Sequence, residues 1–423
     1  MKHSSQNIRI FGAKEVFVCD EDFQILQNGG IAFEEGKDTI LCVDTFENLC
    51  VQFPDAKTHF SPQGILLPAL INPHIHFEFG GHIARFNYGD FGAWLDSLME
   101  HRDSILGDLK DIIQEGINEQ ILCGVGSVGA ISSYGDDKEI LAQSPLRVVY
   151  FNEAIGSNPA SVDFLYQNFL QRFEDSRKLK SSTFIPAIAL HSPYSLHSIM
   201  AKHLIALATK ECAPLSAHFL ESHYEREWLE TSSGYFRGFF QRLASLKDPT
   251  SFYTPLSFLE MLSPLSDKSP ILLTHCLHTS LKELAQIAQL NATIVMCPRS
   301  NRLLSNRYFD IKSSLTHHIP VAIGTDGKSS NFNVNLLDEL RFALFAYPQM
   351  DLLELAKMLI LGVTSRAAKA LGLQNGTLQT GKNVDFALFD FPESLNQSPL
   401  SFILHAKKPQ ILYVNAKCVY GSR

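Results

Sequence analysis

The sequence predicts an α/β protein, a (β/α)8 barrel carrying a small β-sandwich built from both ends of the chain. Three observations carry this expectation. Eight apolar runs of strand length recur through the middle of the chain, each followed by a helix-compatible stretch. Strand-like segments occupy both termini. Polar, metal-competent residues stand where several of the apolar runs stop.

Residues 1–66 read as the first part of the sandwich, with short strands at 8–11 (I-R-I-F) and 16–18 (V-F-V) and a hairpin around Asn28, Gly29 and Gly30. The barrel is expected over 67–372. Its first run ends at His76, and the next lie at 125–130, 146–153, 184–191 and 214–218. The last three lie at 271–275, 292–298 and 320–326. Continuous apolar strands alternating with helices signal a parallel sheet covered on both faces, and eight is the number that closes a barrel. The longest connection, 221–270, carries E-R-E-W-L-E and F-F-Q-R-L-A and reads as helical with a loop near Pro249. Residues 373–423 return to strand character at 384–390 and 411–415 and complete the sandwich.

Composition narrows the function. Hydrophobic residues make up 45% of 423, enough for a large core. With 36 Lys plus Arg against 44 Asp plus Glu, the net charge of −8 argues against a nucleic-acid partner, because neutralising phosphates needs clustered basic residues. No apolar run approaches the roughly 18 residues of a membrane span, and the start, M-K-H-S-S-Q, lacks the apolar segment of a secretory signal. The 8 Cys form no C-x-x-C pair. A cytoplasmic protein with reduced thiols and no membrane partner is expected.

His74 and His76 end the first run, His191 the fourth, His218 the fifth, His275 the sixth and Asp326 the eighth. In a barrel these strand ends converge on one rim, where active sites of the fold lie. Residues two apart on a strand share a face, so His74 and His76 can share one ion. With His218 and Asp326 they offer three nitrogens and one oxygen. That set suits one divalent metal ion, Zn²⁺ with Fe²⁺ left open. Two literal motifs lead elsewhere. Gly124, Gly126 and Gly129 satisfy G-x-G-x-x-G but overlap the second apolar run, where small residues let a strand pack closely. His76 and Glu78 spell H-x-E, yet the P-C-x-x-C partner of the cytidine-type zinc deaminases is missing.

Longer motifs run through nearly the whole chain: L-P-A-L-I-N-P-H-I-H-F at 67–77, H-S-P-Y at 191–194, H-F-L-E at 218–221 and T-H-C-L-H at 274–278. C-P-R-S-N at 297–301, G-T-D-G-K-S-S-N at 324–331 and G-K-N-V-D-F at 381–386 follow. In order and spacing they resemble the amidohydrolase superfamily, in its branch of adenine-nucleoside, triazine and cytosine deaminases. The resemblance implies the barrel, a β-sandwich from both chain ends, and metal binding by His74, His76, His218 and Asp326. Within the branch the sequence most resembles the aminofutalosine deaminases of the alternative menaquinone pathway, relatives of methylthioadenosine and S-adenosylhomocysteine deaminases. The fourth run holds no Lys for the carboxylated bridge of two-metal members, which agrees with a single ion.

The implied reaction is hydrolytic deamination of 6-amino-6-deoxyfutalosine to futalosine and ammonia. Methylthioadenosine, S-adenosylhomocysteine or adenosine, another aminohydrolase or chlorohydrolase reaction of the branch, and a metal-loaded barrel without catalysis stay open. By resemblance His275 hydrogen-bonds the attacking water and stabilises the adduct, and Asp326 both binds metal and accepts the water's proton. Glu221, three residues after His218, protonates the ring nitrogen and helps ammonia leave. His191 matches a position that contacts the sugar or its 5′ side, and Ser300 and Asn301 are expected at the substrate. Asp103 stands where Trp94 and Leu95 place the family's ribose-binding Glu, one methylene shorter. The substrate's 5′ benzoate implies a cation at the far end of the pocket, with Arg85, Arg299, Arg302 and Lys328 as candidates. Related enzymes often assemble, so a homo-oligomer is left open.

Overall fold

The computed structural model describes residues 7–81, 85–105, 109–243 and 247–421. The chain opens with four strands, β1 (Ile8–Phe17), β2 (Ile25–Glu34), β3 (Ile40–Thr45) and β4 (Lys57–Pro68). Eight parallel strands follow: β5 (Leu70–Ile75), β6 (Val125–Ser132), β7 (Arg147–Ala154), β8 (Phe184–Leu190), β9 (Leu215–Phe219), β10 (Ile271–His275), β11 (Thr293–Met296) and β12 (Val321–Ile323). The chain ends with β13 (Phe386–Phe389), β14 (Ile411–Val414) and β15 (Lys417–Tyr420). The first four and last three form one mixed sheet in the order β15-β14-β13-β4-β1-β2-β3.

That sheet folds over itself. Phe33 on β2 and Tyr413 on β14 stand four strand spacings apart, about 19 Å in a flat sheet, yet their rings are 5.8 Å apart. Apolar rings from both chain ends, Phe11, Phe33, Phe386 and Tyr413, fill the fold. The hairpin expected at Asn28–Gly30 is not there. β1 runs unbroken from Ile8 to Phe17 and the turn comes at 18–24, closed by Val18 N–H donating to the Gln24 carbonyl. Gly29 and Gly30 lie inside β2 for lack of room: a Cβ on Gly30 would sit 2.8 Å from the Phe11 carbonyl oxygen. Glycine serves close packing at that position, not a turn.

In the barrel, side chains alternate between two environments, as a period of two requires. On β7, Val149 and Phe151 join an inner cluster with Ala187, Ala189, Leu272 and Val295, whereas Val148 and Tyr150 face the surrounding helices. Both faces are buried, so β5, β6 and β7 show no exposed residue and read as unbroken apolar runs. The helix Ser365–Leu371 adds Ala367, Ala368 and Leu371 to the inner cluster near the start of β5, where Ile71 N–H donates to the Val363 carbonyl. The barrel floor is therefore closed, and the rim with the histidines is open.

Two joints fix the assembly. Asn72 bonds Thr325 through both ends of its amide (2.8 and 3.2 Å), and Asp326 N–H donates to the His74 carbonyl, so the first and eighth strands meet at the metal-competent residues. Arg147 makes a two-pronged, buried pair with Asp385 (2.8 and 3.0 Å), tying the start of β7 to the terminal sheet. The G-x-G-x-x-G glycines act sterically. A Cβ on Gly129 would lie 2.2 Å from the Pro73 carbonyl oxygen, so only glycine lets β6 pass the irregular turn of β5 that carries His74. All eight cysteines are free, and Cys19, Cys123, Cys276 and Cys297 are buried. Among the described residues no helix is long and apolar enough to cross a membrane.

Candidate active site

His74, His76, His218, His275 and Asp326 meet at the barrel's open rim. His74, His76 and Asp326 each offer a ligand atom within 4.8 Å of the others, and His74, His218 and His275 do the same. Two of the residues adopt left-handed backbone, His275 at φ 73° and Asp326 at φ 59°. A non-glycine residue tolerates that region only where its surroundings hold it there. Here the strand-end turns aim both side chains into the mouth.

The donor chemistry of this cluster can be matched to a divalent ion. His218 Nδ1 donates to the His191 carbonyl (2.7 Å), leaving its Nε2 a bare acceptor. That nitrogen lies 3.4 Å from His76 Nε2, and Asp326 Oδ1 lies 3.4 Å from His76 Nε2 and 3.6 Å from His74 Nε2. His74 Nε2 is buried with no hydrogen-bond partner. Acceptors crowded this way repel unless a cation stands among them. A tetrahedral set with bonds of about 2.1 Å has edges near ~3.4 Å, which matches the spacing. Burial pulls His76 and His275 down to about 4 and His218 well below the usual range, so the rings are neutral at pH 7. Burial works to raise the Asp326 pKa, but the neighbouring His74 ring and the other imidazoles around it hold it well below the usual carboxylate range. The residues fit a metal ion.

Next to this cluster, Glu221 Oε1 lies 3.5 Å from His275 Nε2. Burial, with Asp326 and Glu225 nearby, pushes the Glu221 carboxyl well above the usual range and so favours its protonated form. His275 Nδ1 and Asn301 Oδ1 are 2.8 Å apart; Nδ1 carries the hydrogen and Nε2 faces the site bare, buried and unpartnered. Ser300 and Ser330 each donate a hydroxyl to Asp326 Oδ2 at 2.7 Å, turning Oδ1 toward the histidines.

A cavity of about 750 Å³ opens over these residues, within the usual range for small-molecule sites. His76, His191, His218, Glu221, His275 and Asp326 line it. His191 Nδ1 is held by Ser195 Oγ at 2.5 Å. Ser300 and Asn301 do not line the cavity; they stand behind Asp326 and His275, because the helix Pro298–Ser305 turns their side chains into the rim. The side chain of Asp103 lies outside the described residues.

None of the four candidate cations faces the cavity. Arg299 is buried against Glu339 (2.6 Å), Lys328 pairs with Glu115 (3.0 Å) and Glu119 (2.5 Å), and Arg85 and Arg302 are exposed elsewhere. The cations that do line it are Arg102 and Arg172. Glu153 lines it too, with Oε1 3.9 Å from His218 Nδ1. Glu153 ends an apolar run as the histidines do, so the same strand-end rule could have found it. Arg172 lies mid-helix and had no sequence signal. Glu78, of the H-x-E match, is buried and accepts the N–H groups of Ser133 (2.8 Å) and Tyr134 (3.2 Å), a structural task.

Comparison with known proteins agrees with this geometry. The chain is 40% identical over 398 residues to an aminodeoxyfutalosine deaminase of a Nitratiruptor species, covering 93% of this chain and 95% of that one. It is 38% identical over 415 residues to an adenosine deaminase of Helicobacter pylori, covering 97% and 99%. A crystal structure of Helicobacter pylori aminofutalosine deaminase in complex with methylthio-coformycin superposes with a TM-score of 0.92 at 38% identity, over 97% of this chain and all of that one. Residues 65–419 match the family described as Amidohydrolase family. With a barrel, a rim and a sequence pattern in agreement, the chain belongs to the amidohydrolase family.

Proposed function

We propose that this chain is a metal-dependent hydrolytic deaminase of adenine nucleosides, converting 6-amino-6-deoxyfutalosine to futalosine and ammonia in menaquinone biosynthesis. The observation that carries the reading is the placement of the buried Glu221 carboxyl 3.5 Å from a bare His275 nitrogen, in the same cavity as the four candidate ligands. The relative at 40% identity supports the choice of substrate.

His74, His76, His218 and Asp326 would hold one divalent ion, Zn²⁺ with Fe²⁺ as the alternative, since imidazole suits both. Such an ion supplies Lewis acidity, lowering the pKa of water from 15.7 to about 7. The protein's own groups perform the remaining steps. His275 Nε2 accepts a hydrogen bond from the attacking oxygen, and Asn301 keeps that nitrogen free of hydrogen. Asp326 accepts the proton that the water gives up, with Ser300 and Ser330 fixing its angle. Glu221 donates its proton to the ring nitrogen next to the attacked carbon; the proton held by Asp326 passes to the amino group so that it leaves as neutral ammonia, and the Glu221 carboxylate takes up the hydroxyl proton as the carbonyl forms. His191 and the apolar walls bury the nucleoside and exclude bulk water. Asp103 is retained as the ribose acceptor in this proposal.

A second reading, deamination of adenosine or methylthioadenosine as the main activity, draws support from the Helicobacter relative that carries the name adenosine deaminase. Comparing kcat/KM for aminofutalosine, methylthioadenosine and adenosine, on protein of measured metal content, separates the two. Aminofutalosine is expected to lead by at least ~10-fold. Adenosine leading would install the second reading, and no ammonia from any of them would end both.

A further inference from the structure

Glu221 is followed at i+4 by a second acid, Glu225, in the run H-F-L-E-S-H-Y-E. Between the end of β9 and the helix His223–Thr231 the chain passes through one left-handed residue, Leu220 at φ 49°. That region is unfavourable for leucine and persists only where neighbouring groups hold it. Three bonds do so. The Leu220 carbonyl accepts from His278 N–H (3.1 Å), Glu221 N–H donates to Glu225 Oε2 (3.0 Å), and the Glu221 carbonyl accepts from the Ser305 hydroxyl (3.0 Å). The Glu221 carboxyl, by contrast, is held by no side chain among the described residues; it faces His275 Nε2 at 3.5 Å. Its direction is therefore inherited from the backbone of the turn.

Ser222 and Glu225 have the spacing of a capping box. The helix Leu281–Gln289 shows such a box in full, where Glu283 Oε2 takes the N–H of its own N-cap, Ser280, at 2.5 Å. Glu225 behaves differently. Ser222 Oγ accepts the Glu225 N–H at 3.1 Å, as a cap should, but the Glu225 carboxyl reaches past Ser222 to the N–H of Glu221. Its other oxygen, Oε1, is buried with no partner, and the residue is only 1% exposed. A carboxyl buried in that state is costly, and the helix has other anchors. The Ser222 cap uses only the backbone of Glu225, and Arg226 ties the helix to Glu283 by bonds of 2.8 and 2.9 Å. Nor does Glu225 line the cavity. What its side chain does hold is the N–H of the residue assigned as the acid.

We infer that Glu225 is a positioning residue for the deamination: by holding the Glu221 N–H, its Oε2 locks the left-handed turn at Leu220 and keeps the Glu221 carboxyl where it can protonate the substrate's ring nitrogen. This rests on the deaminase reading above. Reach, not charge, is the property that matters. A misplacement of ~1 Å in a reacting group can cost about 100-fold in rate. The loss on removing the acid itself, as in Glu221→Gln, sets the ceiling.

The test uses metal-loaded full-length protein and ammonia release from adenine nucleosides. Glu225→Met fills similar space without an acceptor, so kcat should fall by ~10–100-fold with KM within ~3-fold and metal content at the wild-type level. Glu225→Gln keeps an acceptor oxygen at the same reach and should recover kcat to within ~5-fold of wild type. Glu225→Asp keeps the carboxyl but withdraws it by about 1.5 Å, and should resemble Glu225→Met. In a Glu221→Gln background, Glu225→Met should lower kcat by no more than ~2-fold further, because no acid is left to aim. A purely structural cap would give losses that multiply, or a joint fall in metal content and kcat, and either result overturns the inference. Wild-type kcat in Glu225→Met, or a slow Glu225→Gln beside a fast Glu225→Asp, overturns it too. If Glu225→Met fails to fold, the order of the Gln and Asp variants decides. No ammonia from the wild type ends the deaminase reading and the inference with it, whereas ammonia release with full kcat in Glu225→Met ends only the inference.

Discussion

Glu221→Gln isolates the proton the proposed chemistry needs. The substitution keeps the side chain's size and removes only its acidity. The fold should tolerate it, because the local contacts run through the backbone: Glu221 N–H donates to Glu225 Oε2 at 3.0 Å and its carbonyl accepts from Ser305 Oγ at 3.0 Å. Glu221 is not in the set His74, His76, His218 and Asp326, so metal content should stay at the wild-type level. Burial raises the native carboxyl well above the usual range and so favours the acid form that can donate. An amide in its place can hydrogen-bond the ring nitrogen but cannot transfer a proton to it. General acid–base groups typically contribute about 10²–10⁴-fold, or about 3–5 kcal/mol at 1.36 per decade. The expected result is kcat down by at least ~100-fold with KM within ~3-fold. Ammonia release coupled to a dehydrogenase measures the rate, and elemental analysis measures the metal. Turnover within ~10-fold of wild type, at full metal content, would refute the role given to Glu221.

Asn301→Ala should lower kcat by roughly 10–100-fold without loss of metal, because His275 Nδ1 loses the acceptor that fixes its tautomer; an unchanged kcat would place His275 outside the chemistry. Arg147→Met should destabilise the protein by about 3–5 kcal/mol, since it strands the buried Asp385 carboxylate; a denaturation midpoint matching wild type would show that the joint between barrel and terminal sheet carries no stability. Burial pushes the Glu225 carboxyl from 4.5 to about 8, so the folded protein keeps a proton that the unfolded chain releases in that window. The group's contribution to stability is therefore present below about pH 4.5 and lost as pH rises toward 8. Glu225→Gln should flatten that fall, measured by denaturant unfolding at pH 5 and pH 8, and parallel changes in both proteins would contradict the assignment.

The sequence by itself determined the barrel and the strand ends at which its candidate metal-binding residues gather. A strand buried on both faces has no polar alternation to blur it, so β6, β7 and β8 stand out as apolar runs. Because parallel strands all end on one rim, a His or Asp at the close of a run is already a statement about place. That logic reached His74, His76, His191, His218, His275 and Asp326 without any contact being known. It misjudged Asn28–Gly30, because a glycine required by a neighbouring chain segment and a glycine required by a turn look the same in one dimension. It expected Ser300 and Asn301 at the substrate; in the fold they do not line the cavity and bond His275 and Asp326 instead. It named four cations, none of which lines the cavity, whereas Arg102 and Arg172 do. Which charge faces a cavity depends on where every acid lies: Glu339 claims Arg299 and Glu115 and Glu119 claim Lys328, while no carboxylate among the described residues claims Arg172. Strand periodicity is a local property and is written in the chain, whereas pairing between residues far apart in sequence exists only once the chain has folded.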